Sequence, residues 1–154
     1  MCGIAGILST DGAPLPDRIV VQRMLQTIEH RGPDGAGEYR DESVHIGAVR
    51  LAIQDLKRGD QPVYSCDRRS VAVYNGEAYN AHQLRSHLSN SGHRLTTQCD
   101  TELLPHLYEE YGAEFPEALR GMFAAAVWDS EQKRLVLARD RMGIKPLYLS
   151  LIHI

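Results

Sequence analysis

Cys2 directly follows the initiator methionine, in the stretch MCGIAGIL. Methionine is usually removed before a small residue, which would leave Cys2 with a thiol and a free α-amine. An α-amine has a pKa of about 7.7–8.0, so a useful fraction can accept the thiol proton at neutral pH. Cys2 would then be nucleophile and base in one residue. The alternative that these residues leave open is a small buried strand residue, because free cysteine packs like a small hydrophobic side chain.

The other thiols and the imidazoles follow no pattern typical of a disulfide framework or a metal site. The three cysteines, Cys2, Cys66 and Cys99, are odd in number and irregularly spaced, which argues against disulfides and favours a reducing compartment. The seven histidines include no H-x-x-x-H pair, and the chain has no C-x-x-C. We therefore expect no metal site.

Length and composition exclude several other classes of protein. The 154 residues suffice for one domain with its own core. A net charge of −3 gives nucleic acid no electrostatic reason to bind strongly. No apolar stretch approaches the roughly 20 residues of a membrane span, and the N-terminus lacks the features of a signal peptide. We expect a cytoplasmic protein without a nucleic-acid or membrane partner.

The elements that must position these side chains begin with strands and one helix. Residues 2–9 are short, apolar and rich in glycine, which is typical of a buried strand. From Asp17 the apolar residues recur at helical spacing, and the HRGPDG stretch ends that helix. Residues 44–53 indicate one or two strands whose alternation changes phase, which predicts a β-bulge near Gly47. The apolar positions of the predicted helix are Ile19, Val20, Met24, Leu25 and Ile28.

A further strand and helix follow in the middle of the chain. Alternating apolar residues predict a strand over 71–76 that ends at Gly76. Asn80 and Gln83 resemble a capping box that opens a helix ending at Gly92. The buried face of this helix is predicted to contain Leu84 and Leu88.

The last third of the chain predicts one more helix and a hairpin. Pro105 makes a helix within 101–111 start late or kink, because an interior proline loses a backbone hydrogen bond. Residues 123–128 and 134–138 indicate a β-hairpin. The elements lack the regular strand–helix alternation of a parallel sheet, so the fold class is α+β with antiparallel sheets.

Eight short stretches also occur in the order, and near the spacing, of one known family. Together they make the chain similar to the glutaminase domain of class II (N-terminal nucleophile) glutamine amidotransferases, in the asparagine synthetase branch. The resemblance covers residues 1–149. The stretches are MCGIAGIL at 1–8, HRGPDG at 30–35, RLAIQDL at 50–56, QPV at 61–63, YNGEAYN at 74–80, CDTELL at 99–104, RGMFAAAVWD at 120–129 and LARDRMGIKPLY at 137–148.

The resemblance implies an N-terminal nucleophile hydrolase fold, a four-layer αββα sandwich of two antiparallel sheets. It implies that Cys2 attacks the side-chain amide of glutamine and forms a thioester. Asn75, through its side-chain amide, and Gly76, through its backbone N–H, match the family's oxyanion hole. The residues alone favour a hairpin turn at Asn75-Gly76 over this role. Cys99 is a second thiol, but it has no N-terminal amine and is not expected to be the nucleophile.

The remaining family positions would bind the substrate's other charges. Arg50 matches the residue that binds the α-carboxylate, although a solvated arginine at a strand edge is the alternative. Asp100 matches the residue that binds the α-ammonium, although it could also cap the helix that follows. The walls of the glutamine pocket are expected to include Glu77 and the backbone around Leu51 and Ile53.

The resemblance also carries expectations about the rest of the protein. Residues 2–149 would form the glutaminase domain, with residues 150–154 as a tail unlike the family and the C-terminal synthetase domain absent. The glutaminase domain itself needs no cofactor, whereas the synthetase domain would use ATP and Mg²⁺ to make asparagine from aspartate. Delivery of ammonia to another acceptor and glutamine binding without turnover remain alternatives. The expected partners are L-glutamine, the synthetase domain and possibly a second copy of the chain.

Overall fold

The computed structural model describes residues 2–151; the predicted removal of Met1 and the end of the predicted 150–154 tail lie outside the described residues. Two antiparallel sheets stack face to face between helices. The first sheet has the order β1-β3-β2 and the second the order β4-β5-β6-β7. The strands are β1 (Gly3–Leu8), β2 (Gly35–Arg40), β3 (Val44–Arg50), β4 (Val63–Tyr64), β5 (Ser70–Ala78), β6 (Gly121–Asp129) and β7 (Arg134–Arg139), and the helices are α1 (Arg18–Thr27), α2 (Ala81–Asn90) and α3 (Leu103–Tyr111).

Three apolar clusters separate four layers. Val21 and Leu25 of α1 pack with Val49 against the first sheet. The second cluster fills the space between the two sheets and includes Ile46, Val73 and Trp128. The third cluster packs the outer face of the second sheet against α2 and α3. The predicted α+β class and its αββα layering are confirmed.

The predicted β-bulge near Gly47 is wrong. Strand β3 pairs with β1 without interruption from Gly3↔Val49 to Leu8↔Val44. All seven residues of β3 are buried, because α1 covers one face and the second sheet covers the other. A strand buried on both faces is apolar in both phases, so the apparent phase change needs no extra residue. The strand also ends at Arg50, and residues 51–53 lie in a loop.

Strand β2 was not predicted, and the apolar face of α1 was predicted only in part. The sequence of β2 is GAGEYR, which offers almost no apolar alternation, but it pairs with β3 along its whole length. In α1, the buried residues are Val21 and Leu25, whereas the predicted core positions Ile19, Val20 and Met24 keep more than a third of their surface exposed. The predicted start of this helix is confirmed, and Asp17 caps it, since its carboxylate accepts from the Ile19 amide at 2.9 Å.

The two later helices begin where expected but for different reasons. Asn80 precedes α2 without a capping hydrogen bond from its side chain; the carboxamide instead accepts from the Arg120 amide and donates to the Ala118 carbonyl. The predicted capping box is therefore wrong, while the burial of Leu84 and Leu88 is confirmed. Helix α3 starts late, at Leu103, so Pro105 lies in the first turn, where its missing N–H has no helical partner to lose. Among residues 2–151, no helix has the length and apolar character needed to cross a bilayer.

Candidate active site

At one end of the layer between the sheets, polar residues replace apolar ones on neighbouring strands. Alternate residues of a strand face the same side, so each replacement continues an apolar row. Ile4 packs into this layer, and Cys2 is two residues earlier in the chain. The rows are Val44, Ile46, Ala48 and then Arg50 on β3, and Val71, Val73 and then Asn75 and Glu77 on β5.

Cys2 is held by the peptide of Leu51 and by Arg31. The Leu51 amide donates to the Cys2 Sγ at 3.4 Å, and the Sγ lies 3.8 Å from the Leu51 carbonyl oxygen as a donor. Both backbone polar groups of Leu51 therefore contact the sulfur. The C=O can accept from the thiol, and the N–H donates to the sulfur. Arg31 Nε donates to the Cys2 carbonyl at 3.2 Å, which fixes the backbone of the predicted nucleophile.

The HRGPDG stretch, residues 30–35, packs against the end of β3 and the residues that follow it, next to the pocket. Asp34 accepts from the Ala52 amide at 2.8 Å, and its own amide donates to the Arg50 carbonyl. Gly32 packs so closely on β3 that an added Cβ would lie 2.6 Å from the Arg50 nitrogen. Among the ion pairs of the described residues, Arg31 and Asp34 are not joined. Arg31 and Asp34 thus make two separate contacts, one to Cys2 and one to the Leu51–Ala52 backbone.

The open edge of β5 presents the backbone of Gly76 to the pocket. Strand β4 pairs only with residues 71–72 of β5. Further along the same edge, Gln61 takes the place of a strand, since its carboxamide accepts from the Tyr74 amide at 2.7 Å and donates to the Tyr74 carbonyl at 2.9 Å. The Ala78 amide donates to Asp100 Oδ2 at 2.8 Å. Alternation in an antiparallel ladder places the Gly76 N–H on this same edge, between the two side-chain partners.

Asn75 and Gly76 lie inside β5, so the alternative of a hairpin turn is wrong, as is the predicted end of the strand at Gly76. A side chain at Gly76 would collide with the neighbouring strand, because an added Cβ would lie 2.4 Å from the Met122 carbonyl oxygen. Asn75 is buried and faces the layer between the sheets, where Cys2 also lies. One side-chain amide and one backbone amide therefore reach the same pocket from adjacent residues.

Arg50 is not a solvated arginine at an edge. It lies on the central strand of its sheet and is only 6% exposed. Its terminal nitrogens donate to the carbonyls of Gln54 (3.2 Å), Asp55 (2.8 Å) and Leu56 (3.4 Å), and to Asp60 Oδ1 at 2.9 Å. The loop after β3 therefore encircles the guanidinium. A substrate carboxylate that binds these nitrogens must displace some of these acceptors, of which the highly exposed Asp60 side chain is the most accessible.

Asp100 is buried beside the pocket and does not cap a helix. It is the first residue of a 3-10 turn, Asp100–Glu102, and its carboxylate bonds to β5 instead. Burial raises the pKa of Asp100, although the hydrogen bond from the Ala78 amide partly opposes this effect. A buried carboxylate in this state gains from a cation placed beside it. Burial also raises the pKa of the neighbouring Cys99 thiol, which disfavours its thiolate.

All eight predicted site residues line one cavity of about 100 Å³. The structure thus brings together Cys2, Asn75, Gly76, Arg50, Leu51, Ile53, Glu77 and Asp100, of which Ile53 lies at the exposed rim. The chemical roles of these residues stay predictions. Further lining residues that the sequence analysis did not select include Gln61, Tyr74 and the buried Lys145. The resemblance of the GIKPLY stretch to the family was the available signal for Lys145, whose side chain reaches the pocket only after the chain has folded.

Comparison with known proteins places the chain in a sequence family. A family model for a glutamine amidotransferase domain matches residues 1–153. Asparagine synthetase (glutamine-hydrolyzing) 2 of Oryza sativa subsp. japonica is 40% identical over 149 residues, which cover 97% of this chain and 25% of that protein. Asparagine synthetase (glutamine-hydrolyzing) of Zea mays has the same identity and coverage, at 40%, 97% and 25%. The chain thus spans a quarter of the length of these curated relatives.

Solved structures share the fold. Glutamine phosphoribosylpyrophosphate amidotransferase from B. subtilis, complexed with ADP and GMP, superposes with a TM-score of 0.73 at 24% identity, over 93% of this chain and 38% of that one. A structure described as the allosteric regulatory enzyme of purine biosynthesis gives a TM-score of 0.57, also at 24% identity. At this level of identity, the likeness concerns the arrangement of sheets and helices.

Proposed function

The chain belongs to the glutamine amidotransferase domain family, and from this premise we propose that it hydrolyses L-glutamine to glutamate and ammonia through a thioester on Cys2. The proposal rests on one observation: three kinds of group line the same cavity. They are the Cys2 thiol, which accepts from the Leu51 amide, the amides of Asn75 and Gly76, and the buried Asp100 carboxylate. These groups lie on three segments of the chain that only the fold brings together.

In the first step the Cys2 thiolate attacks the side-chain carbonyl carbon of glutamine. The thiol proton passes to the free α-amine, and the amine returns it to the departing nitrogen, which leaves as ammonia. Water then attacks the thioester, the C–S bond breaks and glutamate is released. The Leu51 N–H favours negative charge on the sulfur before attack, because it donates to Sγ.

The tetrahedral intermediates carry an oxyanion, for which Asn75 and the Gly76 amide are the donors. Each such donor contributes about 3–4 kcal/mol in comparable sites. The buried Asp100 carboxylate is suited to bind the α-ammonium of glutamine. Arg50 is suited to bind the α-carboxylate when that group displaces an acceptor of the loop after β3, such as Asp60. Glu77, Leu51 and Ile53 complete the walls.

In a longer protein the ammonia would pass to a synthetase domain that makes asparagine from aspartate and ATP, with Mg²⁺ bound in that domain. The names of the plant relatives support this acceptor. The glutaminase step itself uses groups of this chain alone.

The proposal is tested by replacing the nucleophile. We expect Cys2→Ala to lower glutamate release from glutamine by at least about 10³-fold, since the other thiol of the pocket, Cys99, has a pKa raised by burial and no N-terminal amine beside it. Cys66→Ala is the matched control, because Cys66 is exposed and its thiol contacts only the Arg94 carbonyl outside the pocket. Equal release from the wild type and Cys2→Ala would contradict the proposal, as would an active protein whose intact mass includes Met1.

The pH dependence tests the base. Since the α-amine must be neutral to accept the thiol proton, kcat/KM for glutamine should fall about tenfold per pH unit below about pH 7. Stopped-time assays between pH 5 and 9 measure this slope. A profile that stays flat down to pH 5 would show that another group takes the proton.

A further inference from the structure

A second cluster of titratable side chains lies in the outer helical layer, among residues that do not line the pocket. His93 lies in the turn after α2, while His106 and Glu109 lie one turn apart on α3. The side chains are largely buried, with exposures of 14% for His93, 2% for His106 and 17% for Glu109. Three ligand-type groups from two segments thus share one partly buried space.

The three facing atoms form a nearly equilateral triangle. His93 Nδ1 lies 3.1 Å from His106 Nδ1 and 3.3 Å from Glu109 Oε2, and His106 Nδ1 lies 3.2 Å from the same oxygen. A tetrahedral ion with ligands at about 2.0–2.1 Å places neighbouring ligand atoms about 3.3–3.4 Å apart. The triangle therefore matches three corners of such a site.

The hydrogen-bond partners orient His93 as a ligand. Its Nε2 lies 2.8 Å from Glu110 Oε1, so the Nε2 proton is donated to that carboxylate and Nδ1 is left with a lone pair that faces the triangle. A carboxylate on the outer nitrogen is the arrangement that supports metal-binding histidines. When His106 carries its proton on Nε2, two imidazole lone pairs and a carboxylate oxygen face one another, an arrangement that a cation between them would stabilise.

We propose that His93, His106 and Glu109 bind a divalent metal ion of the zinc class, with solvent as the fourth ligand. The residual exposure of His93 and Glu109 leaves that position open. Nitrogen and carboxylate ligands in tetrahedral geometry suit Zn²⁺ better than Mg²⁺ or Ca²⁺. The ion would fix the connection between α2 and α3, which carries Cys99 and Asp100 to the pocket.

The sequence predicts no metal site, because the chain has no H-x-x-x-H or C-x-x-C pattern. The ligands proposed here are spaced as H-x12-H-x2-E. Only His106 and Glu109 are neighbours on a helix, and the turn after α2 supplies His93 from a distance. That juxtaposition depends on how the two helices pack.

Cobalt and zinc provide a test that does not depend on glutaminase activity. The chain is stripped with a chelator, and Co²⁺ is added while the visible ligand-field band of tetrahedral cobalt is recorded. We expect one Co²⁺ per chain, displaced by one Zn²⁺. Zn²⁺ at about 100 times its dissociation constant should raise the melting temperature by about 5–10 °C.

Variants assign the binding to these residues. His93→Gln and Glu109→Gln should each weaken Co²⁺ binding at least about 100-fold, and Glu110→Gln about 10–100-fold through the orientation of His93. His87→Gln is the matched control, because His87 is an exposed histidine of α2 that bonds to Tyr111. Far-ultraviolet circular dichroism confirms that each variant folds.

Three results would overturn the proposal: no stoichiometric binding by the folded wild type, unchanged binding by His93→Gln, or the sulfur-to-cobalt charge-transfer band of a cysteine site. In each case the cluster is a hydrogen-bonded network of His93, His106, Glu109 and Glu110 without a metal ion.

Discussion

Contacts with single residues determine how Cys2 is presented. Arg31 donates to the Cys2 carbonyl, and the backbone N–H and C=O of Leu51 both contact the Cys2 sulfur. Leu51 itself is held because Asp34 anchors the next amide, Ala52. These successive hydrogen bonds position the predicted nucleophile, and none of them involves a side-chain base.

The Asp100 carboxylate is the residue whose role is easiest to separate from its structural contact. Asp100→Asn keeps an oxygen that can accept from the Ala78 amide but removes the charge that would bind an α-ammonium. We expect the free energy of unfolding to change by less than about 1 kcal/mol and KM for glutamine to rise by about 10–100-fold, as expected for the loss of a buried charge-assisted contact. Urea unfolding and steady-state kinetics measure the two quantities.

Thr101→Ser serves as the control for local packing beside Asp100, since it keeps a hydroxyl in the same buried turn. The assignment of the ammonium to Asp100 is wrong if Asp100→Asn leaves KM unchanged.

At the scale of elements, the open edge of β5 is the feature on which the proposed oxyanion hole depends. Gln61 occupies the position of a missing strand opposite Tyr74, and Asp100 occupies the next such position opposite Ala78. The Gly76 amide lies between them. A full-length β4 would have paired with this amide and closed the site.

Gln61→Ala tests this edge. The substitution leaves the buried Tyr74 amide and carbonyl without their partner, so we expect a loss of about 2–3 kcal/mol in the free energy of unfolding. Displacement of β5 should also lower kcat/KM for glutamine by at least about 10-fold. Denaturant unfolding and glutaminase assays are the measurements.

Gln83→Ala, an exposed glutamine in the first turn of α2, provides the matched control. If Gln61→Ala and Gln83→Ala have the same stability and activity, the carboxamide does not hold the edge.

The elements also show which parts of the fold local sequence can predict. Strand β1, the start of α1 after Asp17, the late start of α3 and the β6–β7 hairpin depend on neighbouring residues, and they were predicted. Strand β2 and the continuity of β3 depend on pairing and on cover by two layers, which local alternation does not encode. Gln61 was missed for the same reason, because nothing in its own neighbourhood indicates that it pairs with a strand.

The candidate site follows a similar rule. Resemblance to the family identified eight residues that do converge, but their contacts could not be read from the sequence. Arg50 is surrounded by carbonyls of its own loop, and Asn80 secures a distant turn instead of capping α2. Both contacts involve backbone groups whose positions exist only after the chain has folded.

At the scale of the whole molecule, buried carboxylates with many donors make stability depend on pH. Glu102 accepts from the amides and hydroxyls of Thr96 and Thr97 at 2.7–2.9 Å. Burial alone would raise the pKa of Glu102, but these hydrogen bonds outweigh it and hold the pKa below the ordinary 4.5. Backbone amides likewise hold the pKa of Asp41 and of Asp140 below 3.8 despite burial.

A carboxylate whose pKa is lower in the folded state stabilises the fold when it is ionised in both states. This contribution is complete above the ordinary values of 4.5 and 3.8 and is lost as the pH falls through the lower folded values. We therefore expect the free energy of unfolding to be level near neutral pH with respect to these groups and to fall steeply below pH 4.5. Urea titrations at a series of pH values measure this dependence.

Glu102→Gln should cost about 2–3 kcal/mol at pH 7, because an amide cannot accept all four hydrogen bonds, and should make the acid dependence shallower. Glu114→Gln, at an exposed glutamate, is the control. An identical acid dependence in the wild type and Glu102→Gln would show that other carboxylates govern it.

Trp128, the chain's single tryptophan, is fully buried between the sheets and donates from Nε1 to Asp41 Oδ2 at 2.7 Å. It lies at the end of this layer opposite Asn75 and Cys2, since it pairs with Val71 at the start of β5. Its fluorescence therefore reports whether the two sheets remain packed together. A red shift in emission indicates that the sheets have separated, whereas changes confined to the end near Cys2 and Asn75 leave the emission unchanged.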